Sequence, residues 1–223
     1  MVPGTKDRAA LVGGSFLFGA TRPALVEASK KGVVFLELHD ATHSVFVELP
    51  LTPTLDDVTS VVVVRIDSAA RYGTTKLSDT AALEAAARRD AGTGTVALLR
   101  VADDIAIEQV IAATDALKRA GIGHVVLGLV PAGIVPPGDG WESCPFPPAA
   151  DADAVDSGVV TLSLDWDDQG RPGGVHVLES PGHGFGGAAA LCALWQRSTS
   201  TSRCAGALPC SQKVRVAFKR DAP

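Results

Sequence analysis

Apolar and polar positions alternate along the last third of the chain in a pattern that predicts strand, turn, strand, helix and strand. Residues 159–164 alternate and are rich in β-branched side chains, residues 167–170 have turn composition, and residues 175–178 form the returning strand. An alanine-rich helix is predicted from about residue 186 to 196, and residues 214–218 alternate again as a last strand. This unit contains no residue pattern typical of an active site.

Upstream, a second series of apolar segments predicts parallel strands joined by helices. The strands are predicted at residues 59–66, 95–101 and 125–129. The first connecting helix begins at Ser78 or Asp79, and the second begins at Asp103 or Asp104 and ends at Gly121. Strand, helix and strand at this spacing predict a right-handed parallel crossover, and therefore an α/β fold for this region.

A proline-rich stretch separates the two patterns and predicts two domains. Residues 131–148 contain six prolines and three glycines, which is typical of a linker. We therefore expect an α/β (α+β) protein of two small domains, 32–130 and 149–223, each a few-stranded sheet packed by one or two helices. Residues 1–31 are interpreted as a leader, because a basic start and a short apolar core have the order of a secretory signal; a lightly packed N-terminus is the alternative.

Composition and charge exclude two classes of function. The chain has 223 residues, of which 46% are hydrophobic and 20% charged, as in globular proteins with one or two cores. Its net charge is −5 and its lysines and arginines are scattered, which argues against nucleic-acid binding. No apolar run approaches the roughly 18 residues that a membrane-spanning helix needs, so we expect no transmembrane helix in this chain.

The four cysteines predict disulfides and export. Cys204 and Cys210 flank a short loop, Cys144 lies just before the last domain, and Cys192 lies on its predicted helix. None forms a C-x-x-C pair and the nearby histidines do not complete zinc spacing, so we expect no metal site. We expect the pairs Cys204–Cys210 and Cys144–Cys192, in an oxidising compartment. The alternative is four reduced cysteines in a cytosolic protein, with Cys192 as a small core residue.

Two glycine-containing motifs favour turns over ligand sites. Residues 182–187 have the glycine spacing of a dinucleotide loop, but no second parallel strand ending in an acid follows them. The first half of a calcium loop is matched by Asp165, Asp167, Gln169 and Gly170, but His176 occupies its twelfth position instead of glutamate. We therefore interpret the second motif as a hairpin turn.

Two histidines near the start of the first domain have metal-ligand spacing. His39 and His43 lie four positions apart, between apolar segments at 33–36 and 45–47 that are predicted as strands. The pair is therefore expected to flank a hairpin loop rather than to bind a metal. We assign no catalytic residue, no metal ligand and no cofactor to the chain.

The C-terminal unit resembles a known domain at ten positions, which are Asp167, Gly170, Val175, Val177, Ser180, Gly182, Ala189, Val214, Val216 and Phe218. They match the D-x-x-G-x turn, the V-x-V-x-x-S-x-G strand end, the helix and the final V-x-V-x-F strand of the C-terminal domain of TonB-family energy transducers. The resemblance covers about the last third of the chain, and it implies a domain that acts through contacts with other proteins.

The first region resembles a second family over about residues 45–129. The matching positions are Asp67, Ala102, Asp103, Ala120, Gly121 and Ile122, and residues 47–50 resemble its v-x-L-P segment. They match two strand ends, V-x-I-D and v-x-i-x-A-D, and the A-G-I that follows a helix in the periplasmic domain of ExbD and TolR. The family's transmembrane helix, with an acidic residue used in proton-driven motion, has no counterpart here, so we do not expect this chain to handle protons.

Together the resemblances imply a non-enzymatic adaptor of the periplasm or cell envelope, in energy-coupled transport or envelope maintenance. Its implied partners are inner-membrane motor proteins of the ExbB/TolQ type or a peptide of an outer-membrane receptor, and a homodimer is also expected. We expect binding by strand addition to the last strand, through Lys213, Val214, Arg215, Val216, Ala217, Phe218 and Lys219. The alternatives are a small-molecule enzyme or nucleotide-binding protein that uses residues 182–187, and a structural protein that binds peptidoglycan through its first domain.

Overall fold

The computed structural model describes residues 8–12, 17–30, 35–39, 44–48, 58–68, 70–92, 94–128, 146–195, 204 and 207–220. The helices are α1 (Phe18–Lys30), α2 (Thr80–Asp90), α3 (Ile107–Arg119), α4 (Pro148–Ala152) and α5 (Phe185–Trp195). The strands are β1 (Arg8–Val12), β2 (Phe35–His39), β3 (Ser44–Glu48), β4 (Ser60–Ile66), β5 (Arg71–Tyr72), β6 (Thr75–Lys76), β7 (Thr95–Val101), β8 (His124–Leu127), β9 (Ser157–Trp166), β10 (Pro172–Glu179) and β11 (Cys210–Lys219). None of the described helices is long and apolar enough to cross a membrane.

The described strands form one mixed sheet. Its order is β1-β2-β3-β8-β7-β4-β10-β9-β11, and β5 and β6 form a hairpin attached to β4. β3, β8, β7 and β4 are parallel neighbours, whereas β4, β10, β9 and β11 pair antiparallel. The α+β fold class predicted from the sequence is confirmed.

The sheet crosses the boundary that the sequence predicts between two domains. β4 of the first region pairs with β10 of the second, with Ser60 opposite His176 and Val62 opposite Gly174. A β-carbon at Gly174 would lie 3.2 Å from the Val61 carbonyl oxygen, so a glycine suits this junction. The two-domain arrangement is not confirmed, because both regions contribute strands to the same sheet. Most of the predicted linker lies outside the described residues.

β4 and β7 are apolar because both of their faces are covered. Val64 and Leu99 belong to a core cluster shared with α2 and α3. Val63 and Leu98 belong to a second cluster, shared with α5, on the opposite face of the sheet. Since side chains alternate between the faces of a strand, a strand that lies between two helical layers is apolar at nearly every position.

The two connecting helices begin differently. Asp79 caps α2 by accepting a hydrogen bond from a first-turn backbone amide, as the sequence predicts. The predicted cap of α3 at Asp103 or Asp104 is wrong, because Ala106 occupies the cap position without a side-chain hydrogen bond. Asp103 instead forms an ion pair of 2.8 Å with Arg22 of α1. This contact joins residues far apart in the chain, so no local pattern indicates it.

Part of the predicted leader belongs to the core. Phe18 and Leu25 of α1 are 0% and 1% exposed. A β-carbon at Gly19 would lie 2.6 Å from the Asp103 Cβ, so α1 can approach the turn before α3 only with a glycine there. β1 extends the sheet by pairing parallel with β2. A lightly packed leader is therefore the wrong interpretation for residues 17–30.

A fully buried ion pair connects β4 to the turn between β9 and β10. Arg65 Nη1 donates to Asp167 Oδ2 at 3.1 Å, and Nη2 donates to the Pro172 carbonyl at 2.5 Å. Asp167 Oδ1 accepts the backbone amides of Gln169 and Arg171, which shapes the turn. Burial, followed by the charge of Arg171, lowers the pKa of Arg65 to about 10.

Arg100 lies beside Arg65 in the register of β7 and β4, and it holds the end of α5. The Arg100 side chain donates to the Leu194 carbonyl at 2.7 Å, and Arg100 is only 4% exposed. The last carbonyls of a helix lack intrahelical partners and carry partial negative charge, so a cation is stabilised there. Burial, followed by the charge of Arg65, lowers the pKa of Arg100 to about 10.

Cys204 and Cys210 form the disulfide that the sequence predicts, with their Cα atoms 6.0 Å apart. Cys192 is also disulfide-bonded. Its predicted partner, Cys144, lies outside the described residues, so the pair Cys144–Cys192 stays a prediction.

Candidate functional site

β11 forms one edge of the sheet in the part of the chain that the structure describes. It pairs with β9 through an unbroken antiparallel ladder, from Cys210 opposite Trp166 to Lys219 opposite Ser157. An edge strand presents a row of backbone donors and acceptors that have no neighbouring strand. The segment that the sequence predicts as a binding strand therefore lies where strand addition is geometrically open.

The ladder determines which backbone groups of β11 face outward. The Arg220 amide donates to the Asp156 carbonyl at 2.8 Å, in the same register as the strand pairs. Hydrogen-bonded pairs alternate along an antiparallel ladder, so the even-numbered residues of β11 bond to β9. The odd-numbered residues present their N–H and C=O groups to the outer edge, and they are Ser211, Lys213, Arg215, Ala217 and Lys219.

The side chains of β11 alternate as the sequence predicts. Val216 and Phe218 are 1% and 6% exposed and share a core cluster with Leu194 of α5, against which Val214 and Leu191 also pack. The exposed side chains are Lys213, Arg215, Ala217 and Lys219. Within the described residues, the three cations of this set form no ion pair. Partner binding by residues 213–219 stays a prediction.

β9 adds one exposed apolar side chain beside these cations and one buried threonine. Val159, opposite Ala217, is 46% exposed. Thr161, opposite Arg215, donates its hydroxyl to Glu179 at 2.8 Å. The face next to this edge thus combines three cations with the exposed Val159 side chain, whereas the Thr161 hydroxyl is buried.

The glycine-rich loop before α5 has the backbone of a tight turn. Gly182, His183 and Gly184 have positive φ angles of 84°, 52° and 76°. β10, the strand before the loop, is antiparallel to both of its neighbours, whereas a dinucleotide loop follows a strand of a parallel βαβ unit. The His183 Nδ1 lies 2.7 Å from an Asp153 carboxylate oxygen at the surface. The nucleotide-binding alternative therefore lacks the structural context that its motif requires.

The calcium-like segment is a hairpin turn between β9 and β10, as its sequence predicts, with Gly170 at φ 68°. His39 ends β2 opposite Ser44 of β3, which confirms the predicted hairpin, and His43 lies outside the described residues. The described residues contain no group of three or more His, Cys, Asp or Glu side chains placed to hold a metal ion.

A cavity of about 260 Å³ lies where β10 joins β4. Its walls come from the first residues of β4 and β7, the β5–β6 turn, the end of α2, and β9 and β10. The side chains that dominate its chemistry are Ser60, Tyr72, Arg89, Asp90, Asp165 and His176. The sequence pattern indicates only Asp165 and His176, as two positions of a calcium-like loop. No local pattern indicates the others, because they reach this site from separate elements.

Asp165 is the acceptor at the centre of a small hydrogen-bond cluster. Its carboxylate lies 3.1 Å from His176 Nε2 and accepts from the Ser211 hydroxyl at 2.5 Å. Burial opposes ionisation, but the hydrogen bonds from His176 and Ser211 lower the pKa of Asp165. The serine bonds to the carboxylate and not to the imidazole, so the three groups do not form a nucleophilic relay, in which the imidazole takes the hydroxyl proton.

Tyr72 places an unpaired hydroxyl in this cavity. The residue is 4% exposed, and its Oη has no hydrogen-bond partner among the described residues. Burial, followed by the charge of Asp90, raises the pKa of Tyr72. The Asp90 carboxylate acts on the phenol through its charge and through a weaker hydrogen-bonding contact, although no Tyr72–Asp90 hydrogen bond has normal distance and angle. The Asp90 carbonyl accepts from Thr95 Oγ1 at 2.8 Å, which fixes the end of α2 against β7.

No known protein family, curated protein or solved structure matches this chain. The resemblances to the ExbD/TolR and TonB domains therefore stay predictions from the sequence.

Proposed function

We propose that this protein is a non-enzymatic adaptor that binds an extended segment of a partner protein by adding it as a strand to β11. The observation that supports this proposal is the outer edge of β11, which no strand of the described residues covers and where the odd-numbered residues present their backbone groups. In strand addition, backbone hydrogen bonds supply affinity and alternate side chains supply specificity.

The partner segment that fits this edge is acidic at alternate positions. Lys213, Arg215 and Lys219 line the exposed face of β11. Oppositely charged neighbours stabilise adjacent strands, whereas like charges directly opposite each other are destabilising. The same cations disfavour pairing of β11 with a second copy of itself. An acidic extended segment is thus preferred over self-association through this edge.

The sequence resemblances supply the proposed setting. They imply energy-coupled transport or envelope maintenance, with motor proteins or an outer-membrane receptor as partners. The disulfide between Cys204 and Cys210 supports an oxidising compartment such as the periplasm.

Titration of the full chain with a short peptide of alternating glutamate and valine tests the proposal. The matched control peptide alternates lysine and valine. We expect binding of the acidic peptide only, weakened by added salt because exposed charges are screened. Hydrogen exchange should slow at the amides of Lys213, Arg215 and Ala217, and remain unchanged at Val214 and Val216.

Ala217→Pro removes one outward-facing N–H at a position where an edge strand tolerates proline. It should abolish peptide binding, whereas Ala217→Ser, which keeps the N–H, should bind as the natural protein does. Equal binding by both variants would show that the peptide does not add to this edge.

A further inference from the structure

The cavity between β4 and β10 contains a phenol hydroxyl that makes no hydrogen bond of normal geometry with the described residues, although the Asp90 carboxylate lies near it. Tyr72 is 4% exposed, and its Oη has no hydrogen-bond partner among the described residues. Buried polar groups are nearly always paired, and an unpaired hydroxyl lowers stability. A phenol in this state, beside a cavity of about 260 Å³, indicates that a molecule from solution completes the site.

The charges around the cavity indicate the sign of the charge on that molecule. Two carboxylates, Asp90 and Asp165, and one guanidinium, Arg89, line it together with His176. With the imidazole neutral, the carboxylates exceed the cations by one charge. The hydrogen bond to Asp165 raises the pKa of His176, and burial opposes this shift. The negative charges of Asp165 and Asp90 raise the pKa further. The cavity therefore already favours a positive charge.

The hydroxyl groups near these carboxylates add acceptors. The Ser60 hydroxyl donates to Thr95 Oγ1 at 3.3 Å, and Thr95 in turn donates to the Asp90 carbonyl. Because its proton is used in this chain, Ser60 Oγ keeps lone pairs for a donor in the cavity. The Tyr72 oxygen can also accept a hydrogen bond from a donor in the cavity. A ligand with several N–H donors and a positive charge matches this set.

We propose that this cavity binds a small primary amine in its protonated form, with the ammonium group held by the Asp90 and Asp165 carboxylates and by the Tyr72 hydroxyl. A divalent metal fits less well, since the described residues hold no cluster of three acidic, histidine or cysteine ligands. The volume is below the roughly 300 Å³ at which cavities for drug-sized ligands begin, so the amine is small.

Amine binding should depend on pH through His176. The charged groups that act on its ring are Asp165 of β9 and Asp90 of α2, and Arg89 of α2 and Tyr72 of β5 line the same cavity. Lys213 of β11 lies one strand beyond Ser163, the residue opposite His176. A protonated imidazole neutralises Asp165 and competes with the ammonium group. Affinity should therefore increase as the pH rises through the pKa of His176, which lies above its ordinary value, and fall again when the amine itself deprotonates near pH ~10.

Calorimetric or NMR titration of the full chain with propylammonium, and with 1-propanol as the neutral molecule of the same shape, tests the proposal. We expect saturable binding of propylammonium only. Asp90→Asn should weaken it by about tenfold or more, and Tyr72→Phe by about fivefold. Asp104→Asn, which removes an exposed carboxylate at the opposite end of β7, should have no effect. His176→Gln should remove the pH dependence near neutrality.

Three results would overturn the amine site. They are absence of saturable binding, equal binding of propylammonium and 1-propanol, and equal affinity in Asp90→Asn and Asp104→Asn. If Asp90→Asn does not fold, two measurements still test the amine site. They are the comparison of propylammonium with 1-propanol on the natural protein and the effect of Tyr72→Phe on propylammonium binding. Because Ala217→Pro does not touch the cavity, it should bind propylammonium normally, which separates this site from the proposed peptide edge.

Discussion

The Arg65 guanidinium and the Asp167 carboxylate form a fully buried ion pair between residues 102 positions apart in the chain. The pair lies where the antiparallel strands join the parallel ones. Each partner makes further hydrogen bonds, Arg65 to the Pro172 carbonyl and Asp167 to the amides of its own turn. These bonds compensate for the removal of both charges from water. The ion pair therefore helps to fix the position of the β9–β10 hairpin against β4.

Asp167→Asn should strongly destabilise the protein because it leaves the Arg65 charge buried without a counter-ion. We expect the free energy of unfolding to fall by about 3 to 5 kcal/mol. Urea denaturation measures this change. Glu84→Gln, which breaks more exposed pairs with Arg88 of α2 and Arg119 of α3, is the control and should cost at most about 1 kcal/mol. Similar losses in both variants would contradict a structural role for the buried pair.

Neighbouring prolines in β11 should differ in their effect on stability. Val216→Pro removes an N–H that bonds to β9 and a side chain that is 1% exposed, so we expect a loss of at least about 2 kcal/mol. Ala217→Pro removes an outward N–H and should cost less than about 1 kcal/mol. Denaturation of the two variants is the measurement. The reverse order would mean that the even-numbered residues face the outer edge.

Charge reversal at Arg215 should weaken acidic peptide binding without unfolding the protein. The side chain is exposed and has no ion pair among the described residues. Arg215→Glu should lower the affinity for the glutamate–valine peptide and reduce its salt dependence, since one attractive charge becomes repulsive. Lys76→Glu, at an exposed position of β6 that has no ion pair among the described residues, is the matched control. An unchanged affinity in Arg215→Glu would exclude this face of β11 from the peptide site.

Removal of the disulfide in the last loop should cost a modest amount of stability. Cys204 and Cys210 are six positions apart, and a loop of that length contributes about 2 kcal/mol in the chain-entropy account. The double variant Cys204→Ser/Cys210→Ser tests this by denaturation. Mass spectrometry of the non-reduced protein tests the second predicted pair, Cys144–Cys192. Free thiols at all four positions would remove the argument for export.

The contact between His176 and Asp165 should stabilise the fold only over a limited pH range. The pKa of His176 is raised, so its contribution is complete below the pKa of the unfolded histidine, about 6.5, and is lost as the pH rises through the folded value. The pKa of Asp165 is lowered, so its contribution is present above about 3.8 and is lost as the pH falls through the folded value.

His176→Gln should therefore lose most stability, relative to the natural protein, near pH ~5 and almost none at alkaline pH. Unfolding curves across this range measure the difference. A loss that is the same at every pH would show that His176 contributes by packing and not by charge.

Local pattern was enough to identify most of the elements around the proposed edge. The alternation in β9, β10 and β11, the turn at Asp167 and the apolar strands β7 and β8 all follow from side-chain periodicity and turn composition, which act within a few residues. The same periodicity correctly assigned Val216 and Phe218 to the buried face of β11. The cap of α3 was missed because Asp103 makes a more distant contact, with Arg22.

The sequence by itself predicted most of the central elements, the buried face of β11 and the disulfide of the last loop, but not α1, α4, β1, β5 or β6. The tertiary structure decided that β4 and β10 pair, that α1 lies in the core and that Tyr72, Asp90 and His176 surround one cavity. The physical reason is that hydrophobic and turn patterns specify local conformation and burial, whereas backbone edges carry no residue-specific code. Which edges meet depends on how all the apolar faces are covered at once, and a single segment does not contain that information.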